Sequence, residues 1–238
     1  MVSKKKKIAI FSLTSIILIA GIIFTPALID SVSPTPQFVE EDWIELDKIA
    51  NISKYDSAIG HSYPYPWTPT SKKHYFRAFD CWGNSDNEVK IFAPVDGKIT
   101  WIMDESHRVE NDDVRGKQIH LLSKKHPSLT FVFFHVNIEK TNIKLLQDVK
   151  AGTELGFADM REECDTDIAV MRGVEYISWF DILDEELLEK YKIRGINTDN
   201  LKKSKDEIEE TENDGYGFDN EDPRDWIQLS VINCSNYD

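Results

Sequence analysis

Apolar residues recur along the middle of this chain with the period of strands. Val89–Met103 reads VKIFAPVDGKITWIM, two apolar runs around Asp96-Gly97, which predicts a hairpin because Asp-Gly supplies the positive φ angles of a tight turn. KQIHLLS at 117–123 and LTFVFFHVNI at 129–138 predict two further strands. In the second, simple alternation puts Phe131, Phe133 and His135 on one face and Val132, Phe134 and Val136 on the other. Both faces are apolar, so this strand should be central. GTELGFAD at 152–159 and DTDIAVMR at 165–172 add two short strands. Close-spaced strands with helical periodicity confined to the ends predict a mainly β fold, an antiparallel sandwich or open barrel.

Helical spacing appears in three places. Val39, Trp43, Leu46 and Ala50 predict a helix over 38–50, and Leu183, Leu187, Leu188 and Tyr191 predict one from Asp181 to Ile193. Ser204 with Glu207 has the spacing of a capping box and predicts a third helix beyond it. Residues 209–225 are crowded with Asp, Glu, Asn and Gly without the ladder of a calcium loop, and read as a solvated acidic stretch. A last strand is expected within Asp225–Ile232. The run HSYPYPWTPT at 61–70, with three prolines and three aromatics, predicts an extended loop that either packs on the domain or walls a cleft.

Ile8–Ile29 carries no charge and follows Lys4, Lys5, Lys6 and Lys7. At about 1.5 Å per residue such a helix spans a bilayer core of about 30 Å. The lysines should stay cytoplasmic and place the rest outside. An uncleaved signal anchor is the first reading, with a signal cleaved near Ala27, releasing a secreted protein, or a buried core helix as alternatives. Ser31–Gln37 then reads as a short linker.

Charge narrows the partners. The chain carries a net charge of −14, and the four lysines within residues 1–29 leave the remainder at −18. Such a surface repels phosphate backbones, which argues against nucleic acid and favours cations or basic partners. Cys81, Cys164 and Cys234 are three thiols on the disulfide-permitting side of a membrane, with no spacing of a sulfur-held zinc. Asn51-Ile52-Ser53 and Asn233-Cys234-Ser235 match the glycosylation pattern.

The order of elements from His74 to Leu183 resembles the lysostaphin-type zinc peptidases, the LytM or duplicated-hybrid-motif family. HYFRAFD offers His74 and Asp80 where that family opens with a His and an Asp. VKIFAPVDGKITWI, FFHV, DVKAGTELGFAD and YISWFDIL follow in the family's order, and Asp165-Thr166-Asp167 stands at its terminal His-x-His. Two departures stand out. The family spacing is His-x-x-x-Asp, whereas five residues separate His74 from Asp80, and both members of the His pair are Asp here.

The resemblance implies His74, Asp80 and Asp167 as metal ligands, with His135 and Asp165 as catalytic residues that orient water or stabilise an oxyanion. The implied metal is zinc, holding a water whose pKa falls to about 7. Two carboxylates weaken that chemistry and shift preference toward calcium or magnesium. The residues also have plainer readings: His135 as a half-buried histidine on a carbonyl, Asp80 as a turn cap or partner of Arg77, and Asp165 and Asp167 as solvated strand-end carboxylates. His61 could replace a ligand if its loop folds over the cleft. The resemblance brings Cys81 near Cys164 and implies that disulfide, with Cys164–Cys234 as the competing pairing.

The expected organisation is a signal anchor at 1–29, a linker and short helix at 30–60, a peptidase-like β domain at 61–183, and a helical and acidic extension at 184–238. The expected function is binding of a cell-envelope polymer or surface protein with hydrolysis weakened or lost. An active metal-dependent endopeptidase and a metal-free interaction ectodomain are the alternatives.

Overall fold

The computed structural model describes residues 25–64, 70–79, 88–105, 116–160, 165–213 and 222–230, without the side chains of 211–213. Most of Ile8–Ile29, Asp80 and all three cysteines therefore lie outside the described residues. Among those described, no helix is long and apolar enough to cross a membrane.

Eleven described strands form one open antiparallel sheet: β1 Ile49–Ser53, β2 His74–Ala78, β3 Lys90–Phe92, β4 Gly97–Asp104, β5 Lys117–Ser123, β6 Leu129–Asn137, β7 Asp148–Val149, β8 Glu154–Ala158, β9 Asp165–Arg172, β10 Glu175–Ile177 and β11 Trp226–Gln228. The order is β11-β1-β2-β9-β6-β5-β4-β7, with β10 beside β9, β8 on the end of β6 and β3 on β8. The central place expected for β6 holds, since it pairs with β5, β8 and β9. β1 and β11 come from the segments read as linker and extension, yet they continue the same sheet.

One face of the sheet carries the main core. Phe76, Phe131, Phe133, Ile168 and Val170 meet Trp43, Trp179, Leu187 and Tyr191 there, all essentially without solvent exposure. Trp43 meets Phe76 edge-on at 4.7 Å between ring centroids, and Phe131 meets Trp179 at 6.2 Å. The C-terminal helix runs over Glu185–Ile193, starting four residues later than expected because Asp184 caps it, accepting from the Leu187 amide at 2.8 Å. The capping box forms as read: Ser204 Oγ accepts from Glu207 N at 3.2 Å, and Glu207 Oε2 accepts from Ser204 N at 2.7 Å, opening the helix Lys205–Asn213.

Two expectations fail for the same reason, a better partner elsewhere in the fold. Residues 38–50 are not a helix. The stretch runs extended, with one 3₁₀ turn at Leu46–Lys48, and buries Val39, Trp43 and Ile44. Its backbone bonds go to the sheet instead: Phe92 N donates to Trp43 O at 2.7 Å and Phe38 N to Ile182 O at 2.9 Å. Nor does Asp96-Gly97 make a hairpin, since β3 pairs with β8 while β4 pairs with β5 and β7. Asp96 binds the Ala151 amide and Lys150, tying two chain turns together. Gly97 is needed for closeness, because an added Cβ would fall 2.7 Å from the Leu122 carbonyl oxygen.

At the far corner Asp30 accepts from Ser128 N at 3.1 Å, Ser128 Oγ at 2.7 Å and His126 Nδ1 at 2.9 Å, and Arg172 donates to the Asp30 carbonyl at 2.8 Å. The start of the described chain is thereby fastened to two strand ends.

Candidate functional site

Opposed residues of paired strands share a face. Tyr75 faces Asp167 and Arg77 faces Asp165 across β2 and β9, so Lys73, Tyr75, Arg77, Asp165 and Asp167 lie together on the face away from the main core. His74 opposes Ile168 and points the other way. It is buried, donates from Nδ1 to the Ser53 carbonyl at 2.8 Å, and meets Ser178 Oγ through Nε2 at 2.7 Å. Burial pushes its pKa down to about 4, so it is a neutral core histidine. The expected ligand set of His74, Asp80 and Asp167 is therefore not assembled: His74 is on the opposite face from Asp167, and Asp80 lies outside the described residues.

His135 reaches the outer face by a break in alternation. Between β5 and β6, the step from Lys117 to Ile119 faces the longer step from Val136 to Phe133, so β6 carries one extra residue. His135 takes φ +56°, and Gly116 lies against the bulge, where an added Cβ would sit 2.8 Å from the His135 carbonyl carbon. Phe134 and His135 consequently both face Asp167, while Val136 joins Phe133 in the main core. This corrects the simple alternation, which placed His135 with Phe133. Glu105, almost fully buried, accepts from His135 N at 2.9 Å and lies 3.1 Å from His135 Nδ1. Burial pulls the His135 pKa down, but Glu105 and the Asp167 charge outweigh it, and the net direction is upward.

At the centre Lys73 Nζ lies 2.6 Å from Asp167 Oδ2, with the two side chains 1% and 0% exposed. His135 Nε2 approaches the other Asp167 oxygen at 3.4 Å. Neither carboxylate oxygen is aligned for a hydrogen bond with these neighbours, so charge holds the contact. The ammonium also lies 3.8 Å from the Phe134 ring centre, 4.8 Å from Tyr63 and 5.3 Å from Tyr75, and 3.2 Å from His61 Nε2. Beside it, Arg77 grips Asp165 through two hydrogen bonds of 2.8 Å and lies 4.2 Å from the Trp226 ring. Tyr63 and Tyr176, hydroxyls 3.3 Å apart, rim the other side, so the start of the 61–70 loop walls this face.

These donors do not fit zinc as they stand. Zinc takes three protein ligands and a water, whereas the Asp167 carboxylate here is occupied by an ammonium. Among the described residues no three His, Cys, Asp or Glu side chains are grouped to hold a metal. Calcium or magnesium would need a fuller set of oxygens than Asp167 offers. Lys73 and Glu105 escaped the sequence reading. The signal for Lys73 was parity: it shares the strand face of Tyr75 and Arg77, and the adjacent His74 does not.

No family model matches this chain, and no curated protein matches it. Among solved structures it is similar to the catalytic domain of the antimicrobial peptidase lysostaphin from Staphylococcus simulans, at 17% identity and TM-score 0.38, covering 61% of this chain and 95% of that one. It is also similar to Helicobacter pylori Csd3, at 15% identity and TM-score 0.38, over 77% of this chain and 45% of that one. A zinc-containing peptidase from Vibrio cholerae is similar at 12% identity and TM-score 0.38, over 58% of this chain and 39% of that one. The chain thus spans less than half the length of the last two. At these values no function passes from these neighbours to this chain.

Proposed function

We propose that this chain is a membrane-anchored, extracytoplasmic, peptidase-like domain that binds a cell-envelope polymer or surface protein through the outer face of its sheet and does not cut it. The observation that carries this reading is the buried contact between Lys73 and Asp167 at 2.6 Å. A hydrolytic metal needs that carboxylate, and here a fixed ammonium neutralises it. Lys73 and Arg77 are each paired with one member of the Asp165, Asp167 pair, so both of these carboxylates that the resemblance implies for the site are matched by positive charge from the chain. Half-exposed Tyr63, Tyr176 and Trp226 around these pairs supply stacking surface for an extended partner. Residues 8–29 supply the anchor.

The test uses the full chain in detergent, incubated with isolated envelope polymer and with cell-wall peptides, with and without added zinc. Retention on the polymer without hydrolysis, weakened several-fold by Tyr176→Ala, is the expected result. Zinc-dependent cleavage would sink the reading and restore the hydrolase alternative.

A further inference from the structure

We infer that the corner built by the turns at 124–128 and 173–174 is a second membrane contact, held by Asp30 and Arg172, that docks the domain on the outer surface of the bilayer in which residues 8–29 anchor it. This rests on the anchored reading above and adds how the domain sits. Residues 25–32 are helical, so the end of the apolar segment continues into the described chain. The sheet fastens this helix at once, where a free linker was expected. Asp30 takes the bonds from Ser128 and His126, and Arg172 donates to Thr35 Oγ1 at 2.6 Å as well as to the carbonyls of Asp30 and Ser33. Ser31 stands against Gly173, where an added Cβ would lie 3.2 Å from that of Ser31. At 1.5 Å per residue, Ser31 is only about 3 Å beyond Ile29 along the helix. Both turns therefore stand at the level where the apolar segment leaves the lipid.

What they expose fits that level. Leu28, Ile29 and Val32 form one exposed face of the helix, and Val174, at the tip of the β9–β10 hairpin, is 95% exposed. Such tips usually hold glycine or small polar residues, and an apolar β-branched side chain gains nothing from water there. Single exposed apolar residues are common, but these gather around the Ser31–Gly173 contact. Lys124 and Lys125 stand exposed on the turn whose His126 and Ser128 hold Asp30. In a domain otherwise strongly acidic, ammonium groups at this height match the phosphate layer of the bilayer. Lys124 also reaches Asp148 at 3.2 Å, which makes Lys125 the principal headgroup contact. The acid next to Val174, Glu175, lies opposite Arg172 across the hairpin. Since β9 runs from Asp165 to Arg172, Asp167 stands about 17 Å along the strand from the docked corner. Docking holds the pocket around Lys73 and Asp167 at a set height above the lipid.

The experiment uses the full chain reconstituted in vesicles of phosphatidylcholine and phosphatidylglycerol. A spin label is placed on Val174→Cys or, as a reference beyond the other end of β6, on Glu139→Cys, and the labelled unmutated chain supplies the background of the native cysteines. Collision with oxygen, which concentrates in lipid, and with a water-soluble nickel chelate reads the depth of each label. The label at 174 should collide several-fold more with oxygen than with the chelate, and the label at 139 should show the reverse. With Asp30→Ala and Arg172→Ala the 174 label should shift toward the aqueous values while the chain stays in the vesicles; no shift would overturn the fastening. An aqueous label at 174, in an otherwise unmutated chain that a carbonate wash leaves in the vesicles, overturns the docking and leaves the anchor standing. A chain stripped off by that wash overturns both. Retention on envelope polymer is tested apart, since none of these readouts involves it.

Discussion

His74 and His135 show how one residue type takes opposite electrostatic roles on the two faces of a sheet. Burial lowers the His74 pKa to about 4, below the unfolded value near 6.5, so its neutral form is worth keeping. Its contribution to stability is full above pH 6.5 and is lost as pH falls toward 4, a change of about 3 kcal/mol. His135 is raised above 6.5 despite burial, so its contribution is full below that value and is lost as pH rises through its folded pKa. Stability from these two histidines should therefore be greatest around pH 6.5. Urea unfolding from pH 4 to 8 should show a decline on both sides, and His135→Gln should remove the alkaline one. A profile that keeps that decline without His135 would refute the assignment. At this scale the chemistry was half legible. Asp165 and Asp167 could be placed together because they stand two apart on one strand, whereas alternation put His135 on the wrong face, and His74 draws attention in KKHYFR although its neighbour Lys73 is the one that reaches the site. Sequence pattern gives strand parity only when the buried face is known, and both faces of β2 are largely buried here.

At the scale of elements, local rules held where no competitor stood near and failed where one did. The capping box at Ser204 forms because solvent-exposed helix ends are governed by their own side chains. The apolar spacing of 38–50 lost to sheet edges that offered hydrogen bonds, and Asp96-Gly97 lost its hairpin to pairing with distant β5 and β8 partners. The bulge of β6 has no signature in LTFVFFHVNI itself. Its requirement is written elsewhere, in Gly116, whose φ is +73° and whose missing side chain admits the His135 backbone. Gly116→Ala should cost more than about 1 kcal/mol in urea unfolding and should weaken the His135–Glu105 contact, read as a fall in the His135 pKa by NMR titration. An unchanged pKa would mean that the bulge does not depend on this glycine.

For the whole molecule, the chain beyond residue 184 returns to the sheet through β11. Lys203 and Asp225 form a second buried ion pair at 3.0 Å, 4% and 1% exposed, and Asp225 also accepts from the Ala58 amide at 3.2 Å. This pair seats β11 against β1. Ending the chain at residue 221 would take Asp225 away from buried Lys203 and leave β1 as an open edge. The expected loss is about 3–5 kcal/mol with concentration-dependent association, measurable by urea unfolding and light scattering. A truncated chain of wild-type stability would show that the C-terminal segment is dispensable. The mainly β character was legible because period-2 runs between 89 and 172 are long and repeated. The joining of β1 to β11 was not, since pairing across more than 170 residues leaves no local pattern.

The bulge also governs how such a site can be inherited. Between Phe133 and Val136, both fixed in the core, the strand has room for one outward residue in strict alternation and holds two, the ring beneath Lys73 and the imidazole beside Asp167. Losing a single codon there would delete one of these groups while every core side chain kept its place. Gaining one would restore it. In this stretch, then, the length of the gene rather than its spelling decides whether the pocket is complete.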